Sequence, residues 1–127
     1  MRAPALTGAL RFPAVLDYYA ARSMLRHVAN PKLSSEALLI LVSLADEQKH
    51  GYAMQQDIER ISGRRLGPGS LYGAIARLEV AGLIEALSDS GARRPYRLTA
   101  AGSRTLSSEL ESMRKLAAAG RRRLAAR

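Results

Sequence analysis

The sequence predicts a mainly α-helical fold with one small β-hairpin, and three observations predict it. Apolar residues recur at three- and four-residue steps in several stretches, the spacing of one helical face. Asn30-Pro31, Ser62-Gly63, Gly67-Pro68 and Gly82 fall between those stretches, where helices stop and start. Two extended runs, Leu83-Ile84-Glu85-Ala86-Leu87 and Arg93-Arg94-Pro95-Tyr96-Arg97-Leu98, flank the turn-forming Ser88-Asp89-Ser90-Gly91-Ala92.

Composition bounds what such a fold does. A chain of 127 residues holds one domain with short extensions, and a hydrophobic share of 47% suits a folded protein rather than a disordered one. It has no cysteine, which excludes disulfides, cysteine-held metals and thiol nucleophiles. His27 and His50 are too few for a multi-histidine metal site, so no metal or cofactor is expected. No stretch reaches the ~18 consecutive apolar residues of a membrane span, and residues 1–13 lack the pattern of a secretory signal. The expectation is a cytoplasmic protein with no membrane partner. Twenty Lys and Arg against eleven Asp and Glu give a net charge of +9, which makes an anionic partner the first candidate.

Residues 1–33 read as an N-terminal extension. Pro4, Gly8 and Pro13 prevent a sustained period at its start. From Ala14 to Ala29, Tyr18, Ala21, Leu25 and Val28 form one stripe of a helix. Asn30-Pro31 stops it, because the residue before proline avoids the α region. Met24, inside that helix, is an alternative start of the chain.

Residues 34–98 read as the central domain. Ser34 is a good N-cap for Ala37-Leu38-Leu39-Ile40-Leu41-Val42 and Leu44, apolar on most sides and therefore a buried central helix. The loop Asp46-Glu47-Gln48-Lys49-His50-Gly51 follows. A second helix runs from Tyr52 to Ile61, with Tyr52, Met54, Ile58 and Ile61 expected inward and Gln55, Gln56, Asp57, Glu59 and Arg60 outward. A third runs from Gly69 to Ala81. Leu71, Ala74, Ile75 and Leu78 form its core stripe, and Tyr72, Gly73, Ala76 and Arg77 its opposite face. In the hairpin, Pro95 confines the second strand to an edge.

Residues 99–127 read as a final helix capped by Thr99 and ending in a basic tail, Arg121-Arg122-Arg123. Leu106, Leu110, Met113 and Ala117 step by four, three and four, a heptad-like seam suited to packing on a partner subunit.

Helix, helix, Gly-Pro turn, helix and hairpin is the order of a winged helix-turn-helix. In that arrangement three helices bury one core, the third helix offers a free face to a major groove, and the hairpin reaches phosphates or a neighbouring groove. The local motifs narrow the reading. His50-Gly51-Tyr52, then Gly67-Pro68-Gly69-Ser70-Leu71-Tyr72, then Arg77-Leu78-Glu79-Val80-Ala81-Gly82-Leu83-Ile84, then Arg93-Arg94-Pro95-Tyr96-Arg97-Leu98-Thr99-Ala100-Ala101-Gly102 stand in order along residues 34–115. This succession resembles the PadR family of transcriptional regulators, in the short form with a single C-terminal helix.

The resemblance implies a homodimer built on the last helix, binding of double-stranded DNA at a roughly palindromic operator, and repression. It also implies that a small aromatic effector can release the DNA. Three features depart from the family pattern. Gly73 stands where many members carry a larger, often basic residue, Ala100 replaces an acid after the capping Thr99, and the absence of Trp rules out an effector site of stacked tryptophans.

The candidate DNA contacts follow from chemistry and place. Pro68 and Gly69 set a sharp helix start whose free N–H groups suit a phosphate. Ser70 and Tyr72 bring hydroxyls to the first turn, each with a competing structural role, as a cap for Ser70 and as a core edge for Tyr72. Arg77 reaches backbone or base edge, Arg64 and Arg65 precede the third helix, and Arg93, Arg94 and Arg97 lie on the hairpin. The candidate dimer contacts are Leu106, Leu110, Met113 and Ala117. Gly67-Pro68-Gly69-Ser70 lacks the lysine of a nucleotide-binding loop and no acid–base pair is identifiable, so an enzyme is not expected. The rival reading is a winged helix that binds a protein or a ligand without DNA.

The net charge itself sits outside the central domain. Residues 1–33 hold five basic side chains and one acid, residues 34–98 eight of each, and residues 99–127 seven and two. Within the domain the acids concentrate on the first two helices and their loop, while basic groups gather at 64–65, 77 and 93–97. Specific DNA binding is expected from that segregation, with the ends adding salt-sensitive attraction.

Overall fold

The structure, a computed structural model, describes residues 33–87 and 94–127. The helix expected over 14–29, the hairpin turn and Arg93 lie outside the described residues. The elements run α1 (Ser35–Leu44), α2 (Gly51–Ser62), α3 (Pro68–Val80), β1 (Ile84–Ala86), β2 (Tyr96–Leu98) and α4 (Ala100–Ala125).

α1 begins as its sequence demands. Ser34 is extended and its side chain accepts a hydrogen bond from the Ala37 N–H at 3.0 Å. Ile40 and Leu41 are fully buried, and Met54 and Ile58 of α2 and Leu71, Ala74, Ile75 and Leu78 of α3 close around them. The stripe expected on α3 is therefore the one buried.

α3 starts on Pro68, whose fixed φ and missing N–H suit the first helical position. It stops at Gly82 in a paired-bond motif. The Leu83 N–H donates to the Leu78 carbonyl and the Gly82 N–H to the Glu79 carbonyl, both at 3.0 Å. That geometry needs the left-handed φ of 77° which Gly82 supplies without strain. Leu83 is then carried straight into the core.

β1 and β2 pair antiparallel, with Ile84 opposite Leu98, Glu85 opposite Arg97 and Ala86 opposite Tyr96. Ile84 and Tyr96 point inward and are buried, while Glu85 and Arg97 face solvent, the alternation of a half-buried strand. A third chain segment joins the sheet. Lys49 and Tyr96 exchange backbone hydrogen bonds at 3.1 and 2.9 Å, so the α1–α2 loop is tied to the outer side of β2.

α4 is fastened at its start to the turn between α3 and β1. The Thr99 hydroxyl donates to the Gly82 carbonyl at 2.6 Å and accepts from the Gly102 N–H at 3.0 Å, while the Thr99 N–H donates to the Leu83 carbonyl at 3.1 Å. Gly102 sits against the Leu83 carbonyl so closely that a Cβ would overlap it. The Gly82-Leu83-Ile84 and Leu98-Thr99-Ala100-Ala101-Gly102 motifs are thus two halves of one joint.

The structure corrects four readings. Tyr52 and Ile61, expected inward on α2, are 61% and 48% exposed. The inward face of a twelve-residue helix against α1 is narrow, and Met54 and Ile58 fill it. Asp57, expected outward, is drawn in. It accepts from the buried Ser43 hydroxyl at 2.7 Å and pairs with Arg60 at 2.7 Å, beside Lys49. The strands are shorter than the extended runs suggested, three residues each, with one further rung from the Leu87 N–H to the Pro95 carbonyl at 2.9 Å. Lastly, Leu106 is buried in its own subunit's core rather than offered to a partner, and the exposed part of the seam begins at Leu110.

Candidate nucleic-acid interface

With Leu71, Ala74, Ile75 and Leu78 turned to the core, α3 leaves the remainder of its surface bare. At about 100° per residue, Gly69, Gly73, Ala76 and Val80 run along the middle of that surface, with Tyr72 on one flank and Ser70 and Arg77 on the other. The middle line carries no long side chain except Val80 at the far end, so another molecule can approach the helix backbone closely there. Gly67 caps the helix with no side-chain bond, and Pro68 has no N–H. The Gly69 and Ser70 N–H groups therefore form the positive start of the helix. Ser70 is a first-turn residue and not the cap.

Tyr72 does two things at once. Its hydroxyl end lies over Gly51, where a Cβ would overlap the hydroxyl oxygen, while 47% of the residue stays exposed. The ring braces α3 against the start of α2. The structural role weighed from sequence is thus present, and the side chain is not fully consumed by it.

Arg77 folds back along α3. Its Nη1 comes within 3.5 Å of the place a Cβ on Gly73 would occupy, so the guanidinium lies over the gap that Gly73 leaves. Among the described residues it has no carboxylate partner.

The other arginines are placed differently. Arg64 donates to Ser35 Oγ at 3.0 Å and to Glu36 at 3.3 Å, turning back onto the start of α1. Glu36, bonded by its own backbone and then by Arg64 and Ser35, is held below the usual carboxylate range. Arg65 lies 3.6 Å from Glu59, and Arg97 bonds its cross-strand neighbour Glu85 at 2.8 Å. Arg94 lies over the Tyr96 ring, 5.9 Å from its centre. Exposed ion pairs of this kind are weak and exchange readily for a phosphate. Three of the basic groups, Arg64, Arg65 and Arg97, thus have acids beside them.

Two features escaped the sequence reading. Gly51 is the seat of the Tyr72 ring, and the motif His50-Gly51-Tyr52 does not say what presses on it. On α4 the exposed apolar residues are Leu110, Met113, Leu116 and Leu124, and Leu116 was outside the predicted seam. A recess of about 450 Å³ lies beside β2, lined by Lys49, His50, Ala53, Gln56, Arg60 and Pro95 among others. Its two cations are engaged, Lys49 with Asp46 and Ser43, Arg60 with Asp57. Among the described residues no acid–histidine cluster could hold a metal, and no helix is long and apolar enough to cross a membrane.

A three-helix core that leaves the third helix bare beside a two-stranded wing defines the winged helix-turn-helix class. Residues 40–108 match the transcriptional regulator PadR-like family, and the chain belongs to it. Transcriptional regulator Rv3488 of Mycobacterium tuberculosis is 39% identical over 83 residues, covering 63% of this chain and 77% of that protein. An uncharacterized 37.1 kDa protein in transposon TN4556 of Streptomyces fradiae is 52% identical over 79 residues. Those residues are 62% of this chain but only 23% of that longer protein. Among solved structures, a PadR family transcription regulator from Clostridium difficile R20291 aligns with a TM-score of 0.62 and 25% identity, over 72% of this chain and 99% of that one. RosR of H. salinarum aligns with a TM-score of 0.61 and 26% identity, over 65% of this chain and 76% of that one.

Proposed function

We propose that this protein is a cytoplasmic, homodimeric, sequence-specific DNA-binding regulator, a repressor acting on a roughly palindromic operator. The observation that carries the proposal is the bare face of α3, low along its middle and edged by Ser70, Tyr72 and Arg77. Such a face fits a major groove, with the uncapped helix start on a phosphate and Arg94 and Arg97 of the hairpin gripping alongside. Pro68 and Gly69 set the angle of approach. Arg64 and Arg65 would reach phosphates only by leaving Glu36 and Glu59.

A second copy of the chain would cover the apolar side of α4, where Leu110, Met113, Leu116, Ala117, Gly120 and Leu124 fall within about 120° of arc. Two α3 helices related by a dyad would then enter successive major grooves about 34 Å apart. A small aromatic effector, which the family resemblance implies, would release the DNA by loosening this pairing.

Selection of bound duplexes from a random DNA pool tests the reading. Enrichment of a sequence with two inverted half-sites supports it, and an unenriched pool contradicts it. The pairing of Arg64, Arg65 and Arg97 with acids favours one rival, a winged helix that docks a protein instead of DNA. Replacing Arg93 and Arg94 with Ala separates the two, because DNA affinity then collapses while a protein partner stays bound.

A further inference from the structure

We infer that Arg77 reads a guanine in the major groove, and that Gly73 is the residue that positions it to do so. The inference rests on the DNA-binding reading above and adds which residue reads a base and which base it reads. The middle line of the bare face of α3, Gly69, Gly73, Ala76 and Val80, has no hydrogen-bonding side chain. Base edges facing that line would go unread unless a side chain from a flank reaches across. Arg77 starts on a flank, but its Nη1 lies 3.5 Å from the Cβ position of Gly73, which carries the guanidinium onto the middle line. Any residue with a long side chain at 73 would fill the same space and push the guanidinium back toward the phosphates.

The group that arrives is suited to one base. Its paired N–H donors match the N7 and O6 acceptors of guanine, and adenine offers a donor where guanine has O6. Arg77 has no carboxylate partner among the described residues, unlike Arg64, Arg65 and Arg97, so no ion pair has to break first. Small neighbours at 69, 73 and 76 let the helix come close enough for the fork to reach the groove floor.

The test uses the full chain and the duplex selected from a random pool, with each guanine of a half-site replaced in turn by 7-deazaguanine, which lacks N7, or by adenine. The expected result is one guanine per half-site whose replacement weakens wild-type binding about 10- to 100-fold and leaves R77A binding nearly unchanged. G73A should keep the guanine preference while melting higher than wild type, since a Cβ at 3.5 Å is ordinary contact and alanine favours the helix. G73L should lose the guanine preference as R77A does while retaining a normal melting temperature. The inference is overturned if R77A weakens every duplex alike and lowers the salt slope by about 2 per dimer, which marks a phosphate contact. It is also overturned if G73L keeps the guanine preference. Both outcomes leave DNA binding standing, whereas failure of the wild type to enrich any duplex sinks the DNA-binding reading itself.

Discussion

The Tyr72 hydroxyl rests on Gly51, so closely that a methyl group there would share its space. One contact therefore joins the start of α2 to the face of α3 that offers its side chains outward. G51A should destabilise the protein by about 1–3 kcal/mol through overpacking. In a Y72A background the same change should be neutral or mildly stabilising, since alanine favours a helix over glycine. A urea-unfolding double-mutant cycle reads the coupling. Additive effects would show that the ring does not press on residue 51.

The joint between Gly82-Leu83 and Thr99-Gly102 gives a second expectation. T99A removes both an N-cap and a hydrogen bond to the Gly82 carbonyl and should cost about 1 kcal/mol. G102A should cost about 1–3 kcal/mol, toward the upper end, because the atom it meets is a backbone carbonyl that cannot rotate away. Urea midpoints of the two variants check the ranking.

Gly73 is a half-buried position in the helix interior with room for a methyl group. G73A should raise stability by about 1 kcal/mol, read as a higher melting temperature, without weakening DNA binding. A gain in stability accompanied by lost affinity would mean that the helix backbone itself must touch the DNA at this position.

Acid should weaken the fold partly through Glu36. Its folded value is lowered, by its own backbone and then by Arg64, so its contribution is present above the ordinary glutamate range and is lost as pH falls through the folded value. The urea midpoint of wild type should drop between about pH 5 and 3, and E36Q should show a shallower drop. Equal slopes would remove Glu36 from the account.

The α4 seam gives the dimer its test. Placing charge in it with L110E/M113E should yield a folded monomer by sedimentation, with DNA affinity lost at concentrations where wild type binds. Leu106 is not a suitable probe, because its substitution breaks the subunit's own core.

The sequence made the order of elements, the α3 core stripe and the Ser34 and Thr99 caps legible, because each depends on neighbours a few residues away. The structure overturned readings that depended on distant partners. Asp57 looks like a solvated residue on a polar face until Ser43, fourteen residues earlier, donates to it. Arg64 looks free until the fold brings Glu36 beside it from 28 residues away. Leu106 belongs by period to an outward seam, and only the path of α4 past α1 and β2 shows that its first step is spent inside. The sequence marked Ser70, Tyr72 and Arg77 as lying off the core stripe of α3, but not that Tyr72 is held against Gly51 or that the Arg77 guanidinium lies beside Gly73.

The central claim is that a formally neutral domain binds DNA through segregated basic groups around α3. A salt titration of the affinity for the selected duplex tests it most directly, using R121Q/R122Q/R123Q so that the basic run of the tail does not contribute while Leu124 stays in place. If four arginines per subunit meet phosphates, log K should fall against log salt with a slope of about −7 per dimer. A slope near zero, with the variant still folded and dimeric, would contradict the account.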